Sequence, residues 1–308
     1  MEYYVWETPP LSRAGFMEPS TQLRDLISRH AAVQKQATEV QGLTLYKVGQ
    51  PTLPSDSVYS PRICLVLQGA KKIQLGERTF SVDSSQYFIA TVSLPVSARI
   101  EQADPISPHL ALTFELDREE IAKILAEMPS THAAEHYDRT GIAVSQQTPE
   151  ILRAASNLVS CLDMPDDIDM MAKLAKLELY YRLIRSELGP MLRQLATHGT
   201  NLAQIGRVTD WIRQHFAEPM SIGKLADMAG MSTTSLHRHF KAVTLMTPLQ
   251  YRALIRLQEA RRRLLLREAS AREIGFDVGY DSQTQFTREY RKLFGRPPAT
   301  DAAFLGGR

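Results

Sequence analysis

The sequence predicts an α+β protein in two parts, a strand-rich front part folded as a barrel or sandwich and an all-helical C-terminal part. Three observations carry this expectation. From Gly42 to about Leu116, short apolar runs are divided by turn residues, the texture of antiparallel strands. After Asp117 the apolar spacing becomes helical and mostly stays so. Near the C-terminus the chain contains an internal repeat. With 308 residues there is enough chain for two separate cores.

Taken in order, the first 20 or so residues are expected to be irregular, since Pro9, Pro10, Gly15 and Pro19 punctuate them. Thr21 to Val33 has helical spacing at Leu23, Leu26 and Ile27. GLTLYKVG, RICLVLQG, KKIQLGERTFSVD, QYFIATVSLPVSARI and HLALTFELD then read as strands, with a hairpin tip at Gly76-Glu77. No helices alternate with them, so a barrel or sandwich is favoured over a parallel sheet. DREEIAKILAEM opens with an acidic first turn, which suits the positive end of a helix dipole. Two further helices follow, TPEILRAASNLVSCLDM and DIDMMAKLAKLELYYRLIRSELG, with Gly189-Pro190 as a stop signal. In the second, Met171, Leu174, Leu177, Leu179, Tyr181 and Leu183 supply more apolar surface than one helix face needs. That helix is expected to pack on the barrel with one side and on a partner, such as a second copy of the chain, with the other. Arg193 to Thr200 reads as a linker.

Charge is distributed unevenly. From Asn201 onward there are 17 Lys and Arg against 10 Asp and Glu, a net of +7, while the first 200 residues hold 19 against 24, a net of −5. A basic last third behind an acidic front part points to a polyanion as partner for the C-terminal part alone. Two cysteines, Cys64 and Cys161, are too few and too far apart for a disulfide framework or a metal knuckle. No signal peptide and no long apolar span is visible, so a soluble cytoplasmic protein is expected.

The repeat decides what the C-terminal part is. LADMAGMSTTSLHRHFK aligns with IGFDVGYDSQTQFTREYR, so that Leu225, Ala226, Ala229, Gly230 and Met231 fall on Ile274, Gly275, Val278, Gly279 and Tyr280. After a one-residue insertion, Ser232, Thr234, Leu236, Arg238 and Phe240 fall on Ser282, Thr284, Phe286, Arg288 and Tyr290. Each copy follows the logic of a helix-turn-helix: a small residue where two helices touch, a glycine at the turn, and Ser232 or Asp281 to cap the second helix. With residues about 100° apart around a helix, Leu236, Phe240, Val243 and His239 share the buried side, and Thr234, His237, Arg238 and Lys241 the outer face. His237 and His239 lie about 160° apart, so they cannot chelate one metal from a single helix. In the second copy Phe286, Tyr290 and Leu293 face inward, and Thr284, Thr287, Arg288 and Arg291 outward. A face of Thr, Arg and Lys without a carboxylate suits the DNA major groove, where Arg can pair with guanine and Thr can meet a thymine methyl or a phosphate.

Between the copies, Thr247 to Glu268 reads as one helix with Thr247 as cap and Pro248 in its first turn. About 20 residues span roughly 30 Å, close to the ~34 Å of one DNA turn. Two reading helices in successive major grooves are therefore expected, with some DNA bending or partial engagement of one motif. Of Arg261, Arg262 and Arg263, at least one is expected to face phosphate or an acidic neighbour.

The stretches EPMSIGKLADMAGMSTTSLHRHFK, RLQEARRRLL and EIGFDVGYDSQTQFTREYRKLFGRPP, covering Asn201 to Pro298, closely resemble the AraC/XylS family of bacterial transcription regulators. The resemblance implies two helix-turn-helix motifs on a long helix and a transcriptional activator, with double-stranded DNA and RNA polymerase as partners. By match to the family motif, the reading positions are Thr233, Thr234, His237, Arg238 and Lys241 in the first copy. In the second they are Gln283, Thr284, Thr287, Arg288 and Arg291. The chain departs from the family at ATDA, where a tyrosine and a basic residue usually follow the proline. PRICLVLQGAKKIQLGE, SLPV at Ser93 to Val96, and DMMAKLAKLELYYRLIRSELGPMLRQLA resemble the N-terminal domain of one subgroup. This implies a small cupin-like barrel that senses a small molecule, followed by helices that can form a homodimer.

The domain boundaries expected are residues 1–195 for effector sensing and dimerisation, 196–200 for a linker, and 201–308 for DNA binding. No cofactor is expected. Metal-binding cupins need a His-x-His pair with further ligands, and Leu43 to Leu116 offers only His109; His132 and His136 sit in a segment that reads as a loop. Cys64, in an apolar strand, is expected to be a buried structural thiol, with an electrophile-sensing thiol as the alternative. No residues point to a particular effector. A DNA-binding regulator without a small-molecule effector and a cupin-type enzyme with a DNA-binding tail remain as rival readings, the latter without a metal triad, nucleophile–base pair or phosphate loop to support it.

Overall fold

The computed structural model describes residues 18–129 and 140–306. The expectations for Pro9, Pro10, Gly15, His132 and His136 lie outside the described residues. In chain order the described residues begin with α1 (Pro19–His30), β1 (Lys35–Ala37), β2 (Leu43–Val48), β3 (Ser55–Tyr59) and β4 (Arg62–Gln68). There follow β5 (Ala70–Leu75), β6 (Arg78–Asp83), β7 (Gln86–Ala90), β8 (Leu94–Gln102) and β9 (His109–Glu115). After α2 (Arg118–Glu127) comes β10 (Ile142–Gln146), then α3 (Pro149–Ser160), α4 (Ile168–Ile184) and α5 (Gly189–Ala196). The rest is helical: α6 (Asn201–Gln214), α7 (Ile222–Ala229), α8 (Thr233–Thr244), α9 (Pro248–Leu265), α10 (Ala271–Asp277), α11 (Gln283–Phe294) and α12 (Pro298–Gly306). The chain is α+β, strands first and helices after, as the texture of the sequence requires.

The strands pair antiparallel in two sheets, ordered β1-β2-β9-β4-β7-β10 and β3-β8-β5-β6. The sheets do not close into a barrel, and β10 supplies the reason. Its residues Ile142–Gln146 pair with one edge of β7, whose other edge already pairs with β4. With both edges of β7 taken, β6 lies against it without joining its ladder. The two sheets share a core all the same: Tyr59 of β3 stacks on Phe88 of β7 with ring centroids 5.8 Å apart. Ile63 to Leu67 of β4 are all buried, because α1 covers the sheet over β2, β4 and β9. That two-sided burial is why RICLVLQ reads as a continuous apolar run instead of an alternating one. The hairpin forms where expected, with Leu75 opposite Arg78 across Gly76-Glu77.

Several helix boundaries differ from expectation. Gly189-Pro190 opens α5 as well as closing the preceding segment, since proline is tolerated in a first turn. Arg193 to Ala196 belong to that helix, with Leu192 and Leu195 buried, so the segment between α5 and α6 is Thr197–Thr200 and does not begin at Arg193. On α4, Leu179, Tyr180 and Leu183 are buried, whereas Met170, Met171, Leu174, Leu177 and Tyr181 are exposed.

One apolar core runs from the sheets through α6, α7 and α8 to Tyr251 and Ile255 of α9. A second, smaller one gathers Leu257, Ala260 and Leu264 of α9 with Ile274, Val278, Tyr280, Phe286 and Tyr290. Polar contacts reinforce the junction of the front part with the helical part. The Tyr251 hydroxyl donates to the Ser93 carbonyl at 2.7 Å, the Ser93 hydroxyl donates to Asp210 at 2.9 Å, and Gly141 N–H donates to the Val243 carbonyl at 2.7 Å. SLPV, Ser93 to Val96, thus sits where the two parts meet. Among the described residues, no helix is long and apolar enough to cross a membrane.

Candidate nucleic-acid interface and internal cavity

The two motifs are built by the same local devices. Each first helix starts on a serine, Ser221 or Ser270, whose hydroxyl accepts from a backbone N–H of its first turn. Each ends in a glycine that must turn left-handed, Gly230 at φ 63° and Gly279 at φ 93°. The following residue closes the turn with the same hydrogen bond, Met231 N–H to the Ala226 carbonyl and Tyr280 N–H to the Gly275 carbonyl. The second helices start on Ser232 and Ser282, which accept from Ser235 N–H and Gln285 N–H. Ser282, rather than the expected Asp281, is therefore the cap of α11. A serine at both caps keeps α8 and α11 in register, at twelve residues each.

Small residues hold the motifs tight. A Cβ on Gly275 would come within 2.8 Å of the Phe286 ring, so α10 can lie on α11 only with glycine there. Ala226 of α7, at the matching position of the first motif, is likewise buried. Leu236 and Phe240, and likewise Phe286 and Tyr290, are fully buried. Leu293 is the exception to the inward set: it is 41% exposed where its counterpart Val243 is 6% exposed. Val243 lies beside Gly141 and Val92 of the front part, whereas Leu293 borders an open groove with Leu249, Leu254 and Leu257 of α9. His239 is half-buried, and its Nε2 lies 3.1 Å from Arg238 Nη2; the guanidinium can only donate, so this nitrogen accepts.

Thr233, Thr234, His237, Arg238 and Lys241 are all exposed on α8, and Thr284, Arg288 and Arg291 on α11. Gln283 and Thr287 are half-buried, and Gln283 turns its Oε1 inward over Gly275, where it has no partner. Gln283, Thr284, Thr287, Arg288, Arg291 and Lys292 line one shallow concavity of about 670 Å³. Among the described residues, no carboxylate lies within ion-pair distance of Arg238, Lys241, Arg288 or Arg291. The outer faces are cationic and uncompensated, which is what phosphate neutralisation and base-edge contacts require.

The connecting helix α9 has 18 residues, so it spans about 27 Å, shorter than expected. Of its five arginines, Arg252 and Arg256 donate to the backbone carbonyls of Glu218, Phe216 and Ala217, and the other three face acidic neighbours. Arg262 pairs with Glu259 and Glu268, and Arg263 with Glu268 and Asp277. Arg261 is clamped between Asp56 of β3 at 2.7 Å and Asp301 of α12 at 3.0 Å, and Asp301 also accepts from the Tyr290 hydroxyl of α11 at 2.9 Å. The expectation that at least one of these three arginines faces an acidic neighbour is met, but the particular partners are not legible in the sequence; the departure at ATDA, whose aspartate is Asp301, marks one of them.

The front part holds a cavity of about 240 Å³ between its two sheets, lined by residues including Tyr46, Tyr59, Arg62, Cys64, Lys71 and His109. Lys71 Nζ is 3.3 Å from the Tyr59 hydroxyl and 5.6 Å from the ring centres of both Tyr59 and Phe88. Arg62 lies over the Tyr59 ring at 5.3 Å and donates to the Ser60 carbonyl and hydroxyl. His109 is buried, its Nδ1 has no partner, and burial, with the charge of Lys71 adding to it, pushes its pKa down to about 4. Cys64 is fully buried, and burial pushes its thiol up, away from the reactive thiolate. Among the described residues, no group of three or more His, Cys, Asp or Glu is placed to hold a metal.

Comparison with known proteins gives two matching family models. One, described as the AraC-type transcriptional regulator N-terminus, covers residues 39–191; the other, a helix-turn-helix domain, covers residues 225–302. The HTH-type transcriptional activator RhaS of Pectobacterium carotovorum is 29% identical over 153 residues, which is 50% of this chain and 52% of that one. RhaS of Pectobacterium atrosepticum is 31% identical over 105 residues, 34% of this chain and 38% of that one. The chain thus spans about half or less of the length of these curated relatives. Among solved structures, an apo variant of ToxT from Vibrio cholerae matches with a TM-score of 0.55 at 9% identity, covering 85% of this chain and 97% of that one. A second crystal form of ToxT matches with a TM-score of 0.52 at 8% identity, covering 85% and 98%. At such identities the likeness is one of fold.

Proposed function

Because the chain belongs to the AraC/XylS family of transcription regulators, we propose that it binds specific sites on double-stranded DNA and activates transcription under the control of a small molecule. The carrying observation is the pair of helix-turn-helix motifs that expose matching cationic faces, Thr234, His237, Arg238 and Lys241 on α8 and Thr284, Arg288 and Arg291 on α11, with Thr287 half-buried beside them. Thr233 and Gln283 open the two reading helices, with Gln283 in a supporting place because its carbonyl turns inward. Residues 201–308 are the DNA-binding unit, residues 1–196 sense and dimerise, and Thr197–Thr200 join them. The activator reading, with RNA polymerase as partner, takes its support from the RhaS relatives, which are transcriptional activators. The homodimer reading takes its support from α4, where the exposed Met170, Leu174, Leu177 and Tyr181 recur at spacings of four, three and four, the seam of a helix pair.

Control requires that the effector favour one DNA-competent arrangement over another. The Asp56–Arg261–Asp301–Tyr290 network supplies a route, since β3 lines the cavity with Ser55, Ser57 and Tyr59 and carries Asp56 to α9. The test is binding of the full chain to fragments of its own promoter region across salt concentrations. Affinity is expected to fall steeply with salt, and Arg238→Ala or Arg288→Ala to weaken specific binding by about 1–3 kcal/mol where the arginine reads a base. Salt-independent binding, or none to any genomic fragment, would overturn this function.

A further inference from the structure

We infer that the cavity between the two sheets is an effector site for a small organic acid, whose carboxylate meets the Lys71 ammonium and whose short apolar body lies between Tyr46, Tyr59 and Ile100. This rests on the proposed regulatory function and narrows its effector to one chemical class. Charge comes first. Lys35, Arg62, Lys71 and Arg99 line the cavity and no Asp or Glu does. Arg99 has Glu101 as partner, but among the described residues no carboxylate lies within ion-pair distance of Lys35, Arg62 or Lys71. A half-buried cation without a counter-ion carries part of the cost of an interior one, and the two ring faces and one phenol around Lys71 offset that only in part. An entering carboxylate completes the pair.

The other walls fit the same guest. Ala98, Ile100 and Ala111 are apolar, and the Tyr46 and Tyr59 rings flank the space. His109 is neutral at physiological pH, and its unpartnered Nδ1 is a spare hydrogen-bonding atom in the same wall. Size matches a short guest. About 240 Å³ in this half-open cavity has room for about eight water-sized groups at ~30 Å³ each, so a guest on the order of ten non-hydrogen atoms fits inside, and the rest of a long acyl chain would extend out of the mouth. The lining also carries the hydroxyls of Thr52, Ser55, Ser57 and Thr113, so the charge of Lys71, not the polarity of the walls, is what selects an acid over a neutral guest.

The test uses the full chain with hexanoate, benzoate, their matched amides, inorganic phosphate and hexadecanoate, read by thermal shift and isothermal calorimetry. Hexanoate or benzoate is expected to raise the melting temperature and to bind at least tenfold more tightly than the matched amide, with phosphate weak and hexadecanoate no tighter than hexanoate. Lys71→Met is expected to abolish that preference and, by removing the uncompensated charge, to raise the melting temperature of the ligand-free protein. Lys71→Arg is expected to keep the preference, and circular dichroism of both variants reports that they fold. Equal binding of acid and amide, no acid binding at all, or an unchanged preference in a folded Lys71→Met overturns the inference. Promoter binding measured on the same samples separates the two failures: DNA binding without acid preference refutes only the ligand class, and loss of both refutes the regulatory function.

Discussion

Arg261→Met is the most informative single perturbation. The guanidinium is held between Asp56 at 2.7 Å and Asp301 at 3.0 Å and lies over the Phe294 ring at 4.4 Å. Asp301 is 4% exposed at its side chain, so loss of the arginine strands a buried carboxylate with the Tyr290 hydroxyl as its remaining donor. Breaking a fully buried pair costs about 3–5 kcal/mol. Arg261 and Asp56 keep 20% and 17% of their side-chain surface, so solvent recovers part of that loss and about 2–3 kcal/mol is expected here. Methionine fills much of the arginine stem's volume, which keeps the packing contribution small. The assay is native-state hydrogen exchange of the α10 and α11 amides, since these elements share the second core and are expected to open together. A double-mutant cycle with Asp301→Asn should return a coupling of at least about 1 kcal/mol. An opening free energy lowered by less than about 1 kcal/mol, together with additive effects in the cycle, refutes the clamp as a stabilising contact.

Three further outcomes are expected. Val243→Ala, which removes methyls packed against Gly141 and Val92, should destabilise by about 1–2 kcal/mol, whereas Leu293→Ala should stay within about 0.5 kcal/mol in urea unfolding; equal effects contradict the different surroundings of the two motifs. His109 has a folded pKa of about 4 against an ordinary 6.5, so the unfolded chain binds more protons between those values and stability falls as pH drops through that window. The contribution is about 3 kcal/mol at full extent, and a wild-type minus His109→Gln comparison of unfolding from pH 7 to pH 4 should isolate it. If the proposed dimer forms through α4, Leu174→Glu with Leu177→Glu should keep the fold by circular dichroism and lower the sedimentation coefficient relative to the wild type; an unchanged coefficient removes α4 from the interface.

What was legible in the sequence followed from local physics. Ser232, Gly230 and Gly279 are chosen by backbone geometry within a turn, and the placement of Leu236, Phe240, Phe286 and Tyr290 follows from helical periodicity alone. The same periodicity placed the cationic residues of α8 and α11 on solvent-facing sides. What was not legible depends on distant partners. Leu293 has the apolarity and position of a core residue, but it borders an open groove with Leu249, Leu254 and Leu257 of α9, and among the described residues no element closes over it. β3 and β10 are short and mixed in polarity, and they become strands because β8 and β7 offer free edges. Without β10 on the edge of β7, closure into a barrel looks open to the remaining strands. The cavity brings together Lys71 of β5, Arg62 and Cys64 of β4 and His109 of β9, residues that only the strand order 2-9-4-7 and its facing sheet make neighbours.

The two motifs are near copies, yet they are attached by different forces, and this difference has consequences. The first shares the large core of the front part through Val243, Met246 and Tyr251. The second has its own small core, and its tie to β3 is the Asp56–Arg261 pair. Apolar burial is insensitive to moderate salt, while a partly exposed ion pair is screened by it. Rising ionic strength should therefore loosen the second motif from the front part before it affects the first. Any salt dependence of DNA binding then contains two contributions, counterion release from the phosphates and release of this internal clamp. Asp56→Asn separates them, because it removes the clamp and leaves every cation of the α8 and α11 outer faces in place. If the slope of log affinity against log salt is the same in this variant and the wild type, the clamp does not control how the second motif meets DNA. A shallower slope in the variant assigns the difference to the clamp, since the phosphate contacts are common to both.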